Sequence, residues 1–258
     1  MVDGANGISK GIPLTPTELS TMHLRSVTCL PDGYPTREHY PFNLAVFQQP
    51  TRLAFDSPIT IFVGENGSGK STLLEALAHK CGIYVWRDPG RTRFENNPYE
   101  AMLPEYLSIE WANGLVPGSF FSADVFKDFT EILDEWASMD PGQLKHFGGK
   151  SLVTQSHGQS VMSFLSARCR IKGLYLFDEP EAALSPKSQI HLLEVLTGMA
   201  DAGHAQFIMC THSPILLSCH GATLYSFDSI PITPVKYEET EHYRIYKRFI
   251  EGPVTRAS

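Results

Sequence analysis

The chain has no apolar run of membrane length and no leader pattern at its start, so neither a spanning helix nor secretion is expected. Its five cysteines, Cys29, Cys81, Cys169, Cys210 and Cys219, are odd in number and contain no C-x-x-C pair. That argues against a disulfide framework and sets the expectation of a reducing, cytoplasmic setting. Positive charge is also short. Lys and Arg total 21 against 28 Asp and Glu, a formal net charge of −7, which leaves no broad footprint for nonspecific DNA binding. The densest basic cluster, Arg87, Arg91 and Arg93 after Trp86, reads as a solvated loop or as a phosphate or nucleic-acid contact. His79, His191, His204 and His220 have no spacing that suits a metal. No internal repeat and no sustained heptad is present.

What the chain does have is 258 residues with 42% hydrophobic content, enough for one large α/β domain. Residues Gly64-Glu65-Asn66-Gly67-Ser68-Gly69-Lys70-Ser71 fit G-x-x-x-x-G-K-[ST], a loop whose glycines let backbone N–H groups close around a polyanion. Lys70 would bring positive charge to the β- and γ-phosphates, the Ser71 hydroxyl would ligate Mg²⁺, and Thr72 would reach the α-phosphate. The flanks agree. Ile59 to Val63 is a buried-strand pattern, and Leu73, Leu74, Leu77 and Ala78 form one helical stripe that Gly82 ends. The loop therefore feeds a helix N-terminus, where unpaired amides already favour phosphate.

A second apolar run, Leu174-Tyr175-Leu176-Phe177, closes in Asp178 and Glu179, about 110 residues after the loop. Alone, such a pair also suits a surface turn stopped by Pro180. Behind a phosphate loop it reads as a Walker B pair, with Asp178 in the Mg²⁺ shell and Glu179 orienting or deprotonating the attacking water. Between these two motifs, Ser156-His157-Gly158-Gln159 opens a helical pattern carrying Val161, Phe164, Leu165 and Arg168, and S-x-x-Q is also an ordinary capping box.

Gln155 to Gln159 resembles the L-S-G-G-Q signature of ABC-type ATPases. Together with the two Walker motifs, Glu181 to Pro186 and Cys210-Thr211-His212-Ser213-Pro214, the chain resembles stand-alone AAA-domain ATPases of the ABC-type class, related to RecF and structural-maintenance-of-chromosomes heads. The likeness runs from about Pro41 to Phe249. It implies a P-loop NTPase with a mixed β-sheet core flanked by helices and an inserted helical lobe. It also implies an Mg²⁺-dependent, ATP-driven head-to-tail homodimer, in which Ser156, Gly158 and Gln159 of one copy complete the triphosphate site of the other. His212 would be the switch histidine that contacts the γ-phosphate beside Glu179, and Tyr40 or Phe42 would stack the adenine or else pack the core. His157 replaces a signature glycine, Ser185 stands where transporters usually carry Asp, and the Q-loop has only Asp124 as a candidate, which could equally be an exposed helix residue.

Three uses share this chemistry: an engine for a separate effector in DNA repair or defence, a slow nucleotide-gated switch, or the soluble subunit of a transporter. Any contact with nucleic acid would then run through the partner. The expected layout is a loose arm at 1–20, a nucleotide-binding core at 21–81 and 171–250, and a mostly helical lobe at 82–170. Strands are expected near Met22 to Leu30 and Phe42 to Phe47, and again at Leu174, Ala205 and Ala222. Helices are expected from Pro186 and over Glu241 to Phe249. In the helix after Ser122, Val125, Phe129, Ile132, Leu133 and Trp136 are expected to face the core.

Overall fold

The structure, a computed structural model, describes residues 22–85, 97–140, 142, 144 and 151–252. The expected arm at 1–20 and the Arg87, Arg91 and Arg93 cluster lie outside the described residues. Strands β1 (Leu24–Cys29), β2 (Thr51–Ala54) and β4 (Leu107–Trp111) form an antiparallel sheet in the order β2-β1-β4. A larger sheet takes β3 (Ile59–Val63), β5 (Gly118–Ser122), β6 (Gly173–Asp178), β7 (Ala205–Cys210), β8 (Thr223–Ser226) and β9 (Thr233–Val235) in the order β5-β6-β7-β3-β8-β9. Its first five members run parallel and β9 returns antiparallel to β8.

Strand periodicity explains the layers. Along β6, Leu174 and Leu176 face one core while Tyr175 and Phe177 face another; along β7, Ile208 and Cys210 separate in the same way from Phe207 and Met209. The first core lies between the large sheet and the small one and is filled by Leu73, Leu74 and Leu77 of helix α1 (Lys70–Lys80). The second is roofed by α2 (Ala123–Met139), α3 (His157–Arg168) and α4 (Pro186–Asp201), with α5 (Pro214–Leu217) at its margin. Because both faces are covered, β3 and β7 are buried at every position, which is why they read as continuous apolar runs rather than as alternating ones. Helix α6 (Glu241–Glu251) follows and buries none of its residues.

Two expectations about elements change. Phe42 to Phe47 is a turn closing in a 3₁₀ turn, Ala45–Phe47, instead of a strand. Its adjacent buried residues Val46 and Phe47 violate the alternation a half-buried strand needs and pack beneath the phosphate loop. The stretch from 82 to 170, expected to be mostly helical, contains β4 and β5, one in each sheet. Helix α2 is turned slightly from its expected face: Phe126, Phe129, Leu133 and Ala137 are buried, whereas Trp136 is 42% exposed.

One buried side chain ties the sheets together. Gln206 on β7 is fully buried and faces β1, where its Oε1 accepts from the His23 and Leu24 N–H groups, both at 2.8 Å, and its Nε2 donates to the Leu24 carbonyl at 2.9 Å. The amide thus satisfies backbone groups that β1 would otherwise bury unpaired. Gln206→Leu keeps the volume and removes these partners, so it should cost at least about 2 kcal/mol of stability, read as a lower urea midpoint with an unchanged slope. A shift worth under about 0.5 kcal/mol would show that these groups find other partners.

Candidate active site

The register of the parallel strands sets the site. Asp178 lies opposite Cys210 on β7 and Ser122 on β5, and Cys210 lies opposite Phe62 on β3. These strands therefore end at one level, and the loops after Val63, Asp178 and Cys210 emerge side by side at the carboxyl edge, where open α/β sheets bind ligands.

Gly64 to Gly69 wrap from β3 into α1. Gly67, at φ +80°, has nothing within 4 Å of where a Cβ would stand, so the loop encloses open space there. Gly69, at φ +102°, would drive a Cβ to 3.1 Å from Val46 Cγ2, which fixes glycine at the helix entrance. No side chain caps α1, so its first N–H groups are left for an anion. Lys70 is only 4% exposed; its Nζ donates to the Gly64 and Glu65 carbonyls at 2.7 and 2.9 Å. Both of these acceptors are neutral, so they aim the charge without cancelling it. Ser68 Oγ is buried without a partner inside the same loop. Asn66 completes the turn, and the Glu65 N–H donates to Asp228 Oδ1 at 2.8 Å.

Ser71 and Asp178 meet directly, the Ser71 hydroxyl donating to Asp178 Oδ1 at 2.8 Å. Two hard oxygens at the mouth of a phosphate loop are a donor set that fits Mg²⁺, which keeps most of its remaining ligands as water and phosphate oxygen. Beside them Glu179 adopts the left-handed conformation at φ 48°, unusual for a residue with a side chain, while its N–H donates to the Cys210 carbonyl at 3.0 Å. The bend turns its carboxylate toward the neighbouring loop, where Glu179 Oε1 lies 3.6 Å from His212 Nε2.

His212 is held from three sides. Its backbone N–H donates to Glu181 Oε1 at 2.7 Å, its Nδ1 lies 3.0 Å from His242 Nε2 on α6, and its Nε2 faces Glu179. Burial first, and then the nearby Lys70 charge, lower its pKa below the usual histidine value, so the ring is neutral near pH 7. Burial raises the Glu181 carboxyl, against the hydrogen bonds it accepts from the His212 N–H and from Thr211.

The structure brings Gly64, Glu65, Asn66, Gly67, Ser68, Gly69, Lys70, Ser71, Asp178, Glu179 and His212 to one edge. Thr72 joins them, its hydroxyl 3.0 Å from the Tyr40 hydroxyl at a cleft of about 270 Å³ that both residues line. Phe42 is excluded from adenine stacking: it is fully buried and packs on Tyr34 and Tyr106. Ser156 and Gln159 are exposed at the start of α3, where Gln159 Oε1 accepts from the Ser156 N–H at 3.1 Å. With Gly158 they belong to the lobe over β5 and β6, and among the described residues none of the three bonds to the phosphate loop. The side chains of His157 and Asp124 lie outside the described residues. Asp228, Glu181 and His242 were not assigned roles from the sequence. Glu181 could have been suspected from its place after the acidic pair, but Asp228 and His242 lie 163 and 30 residues from their partners, with no motif around them.

The shift at Glu181 has a sign that can be checked. Its folded pKa is raised above 4.5, so between 4.5 and that higher value the folded state holds more protons than the unfolded chain. Stability then falls as pH rises through this window. Glu181→Gln lacks the titration, so the melting temperature of the native protein should drop relative to the variant as pH rises above about 4.5. Parallel profiles would remove the assignment.

Comparison with known proteins follows the same residues. An AAA domain family model matches residues 42–82, and an AAA ATPase domain model matches residues 157–217. Protein ea59 of Escherichia phage lambda is 35% identical over 92 residues, which is 32% of this chain and only 18% of that protein. Among solved structures, a metal-chelate type ABC transporter in an inward-facing conformation aligns with TM-score 0.49 and 18% identity over 87% of this chain and 88% of its own. The SMC head domain from Thermotoga maritima aligns with TM-score 0.48 and 16% identity over 83% of this chain and all of its own. Both matched segments are of AAA ATPase domains, and they fall on the phosphate loop, α3, the acidic pair and the loop of His212.

Proposed function

We propose that this ATPase closes head to tail on ATP with a second copy of itself, and that opening after hydrolysis drives a separate effector. The observation that carries this reading is the division of the site. The Walker groups meet at one carboxyl edge, while the capped serine of α3 stays exposed and apart from the phosphate loop. A capped helix start of this kind presents free N–H groups to a γ-phosphate held by another subunit.

In that arrangement Lys70 and the loop amides hold the β- and γ-phosphates, and His212 Nε2 donates to the γ-phosphate. Ser71 and Asp178 would hold Mg²⁺, which supplies charge neutralisation on the phosphate oxygens. Glu179 orients the attacking water and takes its proton, and its bent backbone keeps the carboxylate within reach of His212. Ser156 and the Gly158 amide of the second copy close the site, with Gln159 maintaining the cap. Tyr40 would stack the base, a reading supported by its flanking Thr72 at the cleft.

The effector is best read as one acting on nucleic acid, in repair or defence. Among the described residues no helix is long and apolar enough to cross a membrane and none of the lobe's helices exceeds the 17 residues of α2, which favours a separate chain as the receiver of the stroke. An affinity pull-down with a hydrolysis-blocked variant in ATP tests this: recovery of a nuclease or other DNA-acting protein supports it, and recovery of a membrane permease replaces it.

Glu179→Gln should lower kcat by about 100-fold or more while ATP binding persists, measured by phosphate release and by nucleotide titration. Unaltered turnover would remove Glu179 as the base. Ser156→Arg should abolish ATP-dependent dimerisation in light scattering and leave monomer binding within about threefold; a dimer that survives would rule out the shared site.

A further inference from the structure

Helix α6 reaches the active site through one side chain. His242, in its first turn, places Nε2 3.0 Å from Nδ1 of His212, with the two rings 5.2 Å apart. Each ring has one further nitrogen, His212 Nε2 and His242 Nδ1, and both are buried without a hydrogen-bond partner. Two neutral imidazoles share one proton across such a contact, so one of two arrangements is present.

If His212 donated from Nδ1, its Nε2 would be a bare lone pair facing the Glu179 carboxylate at 3.6 Å. His242 would then carry its proton on Nδ1, an N–H buried with no acceptor. Both ends would be unfavourable. If His242 donates from Nε2, its Nδ1 is only an unused acceptor. His212 then carries its proton on Nε2, facing Glu179 Oε1 and available to a γ-phosphate. Lys70 and Glu65 on the phosphate loop and Glu181, which holds the His212 backbone, are the other charged groups nearby, and the hydrogen bond at His212 Nδ1 is the one with His242.

We infer that His242 is a positioning residue for ATP hydrolysis: by donating from Nε2 to Nδ1 of His212 it holds that ring in the Nε2–H tautomer that can donate to the γ-phosphate. The inference rests on His212 being the phosphate-facing histidine. It assigns His242 an effect on turnover with little effect on binding, because the contact His242 makes at the site is with the His212 ring.

The test compares three variants with the native protein and reads the tautomer directly. Selective ¹⁵N-histidine labelling, with His212 identified by its loss in His212→Gln, should show a protonated Nε2 and an unprotonated Nδ1 in the native protein. His242→Phe should lower kcat by about 10- to 100-fold, with KM for ATP changed less than about threefold and the melting temperature retained. His242→Gln, whose amide can donate from nearly the same point, should restore kcat to within about fivefold of native. A native His212 protonated on Nδ1, or a His242→Phe enzyme within about twofold of native kcat, overturns the assignment. His212→Gln separates the two levels. If it hydrolyses ATP normally, the premise about His212 fails; if it is inactive while His242→Phe is not, only the role of His242 fails.

Discussion

Everything chemical in this fold hangs on the common level at which β3, β6 and β7 end. The pairing that sets Asp178 against Cys210, and Cys210 against Phe62, leaves no freedom in where the following loops begin. A slip by one residue would turn Asp178 from the loop edge toward a core face, because side chains alternate along a strand. Register is in turn enforced by the two apolar cores, which claim alternate residues of the same strands. Packing therefore positions Asp178, Glu179 and His212 at one edge, and the loops themselves need little structure of their own.

The electrostatics follow from that placement. Lys70 is buried among neutral carbonyls, the loop amides and the uncapped start of α1 point into the same space, and His212 is kept neutral by burial and by Lys70. The carboxylates Asp178 and Glu179 stand at the rim, one engaged by the Ser71 hydroxyl and the other facing an imidazole. A site so organised favours a bound polyanion and keeps the Glu179 carboxylate beside the phosphate cradle and out of it.

Much of this was readable in the residues. β3, β6 and β7 announced themselves because strands buried on both faces are apolar throughout, and the loop between β3 and α1 carried glycines that only unusual backbone angles require. The start of α3 was legible from Ser156 and Gln159, and Ser185 does cap α4 by accepting from the Ser188 N–H. Phe42 to Phe47 misled because its apolar residues serve two different contacts, Phe42 an aromatic cluster with Tyr34 and Tyr106 and Val46 and Phe47 the underside of the phosphate loop, and such contacts leave no periodicity along the chain. β4 and β5 were hidden because neither is an unbroken apolar run: β4 is interrupted by Ser108 and Glu110, and β5 holds Gly118 and two serines. Asp228 and His242 could not be found from sequence at all, since each acts on a partner that only folding brings near.

Helix α6 buries no residue, yet its first turn touches His212 at the sheet's carboxyl edge. Ile245, Phe249 and Ile250 beyond that turn remain exposed, so little apolar burial anchors the helix to the body. Elements so weakly held open at a fraction of the free energy that unfolds a core. An opening of α6 would therefore be felt first at the His212 ring, before either sheet loosens.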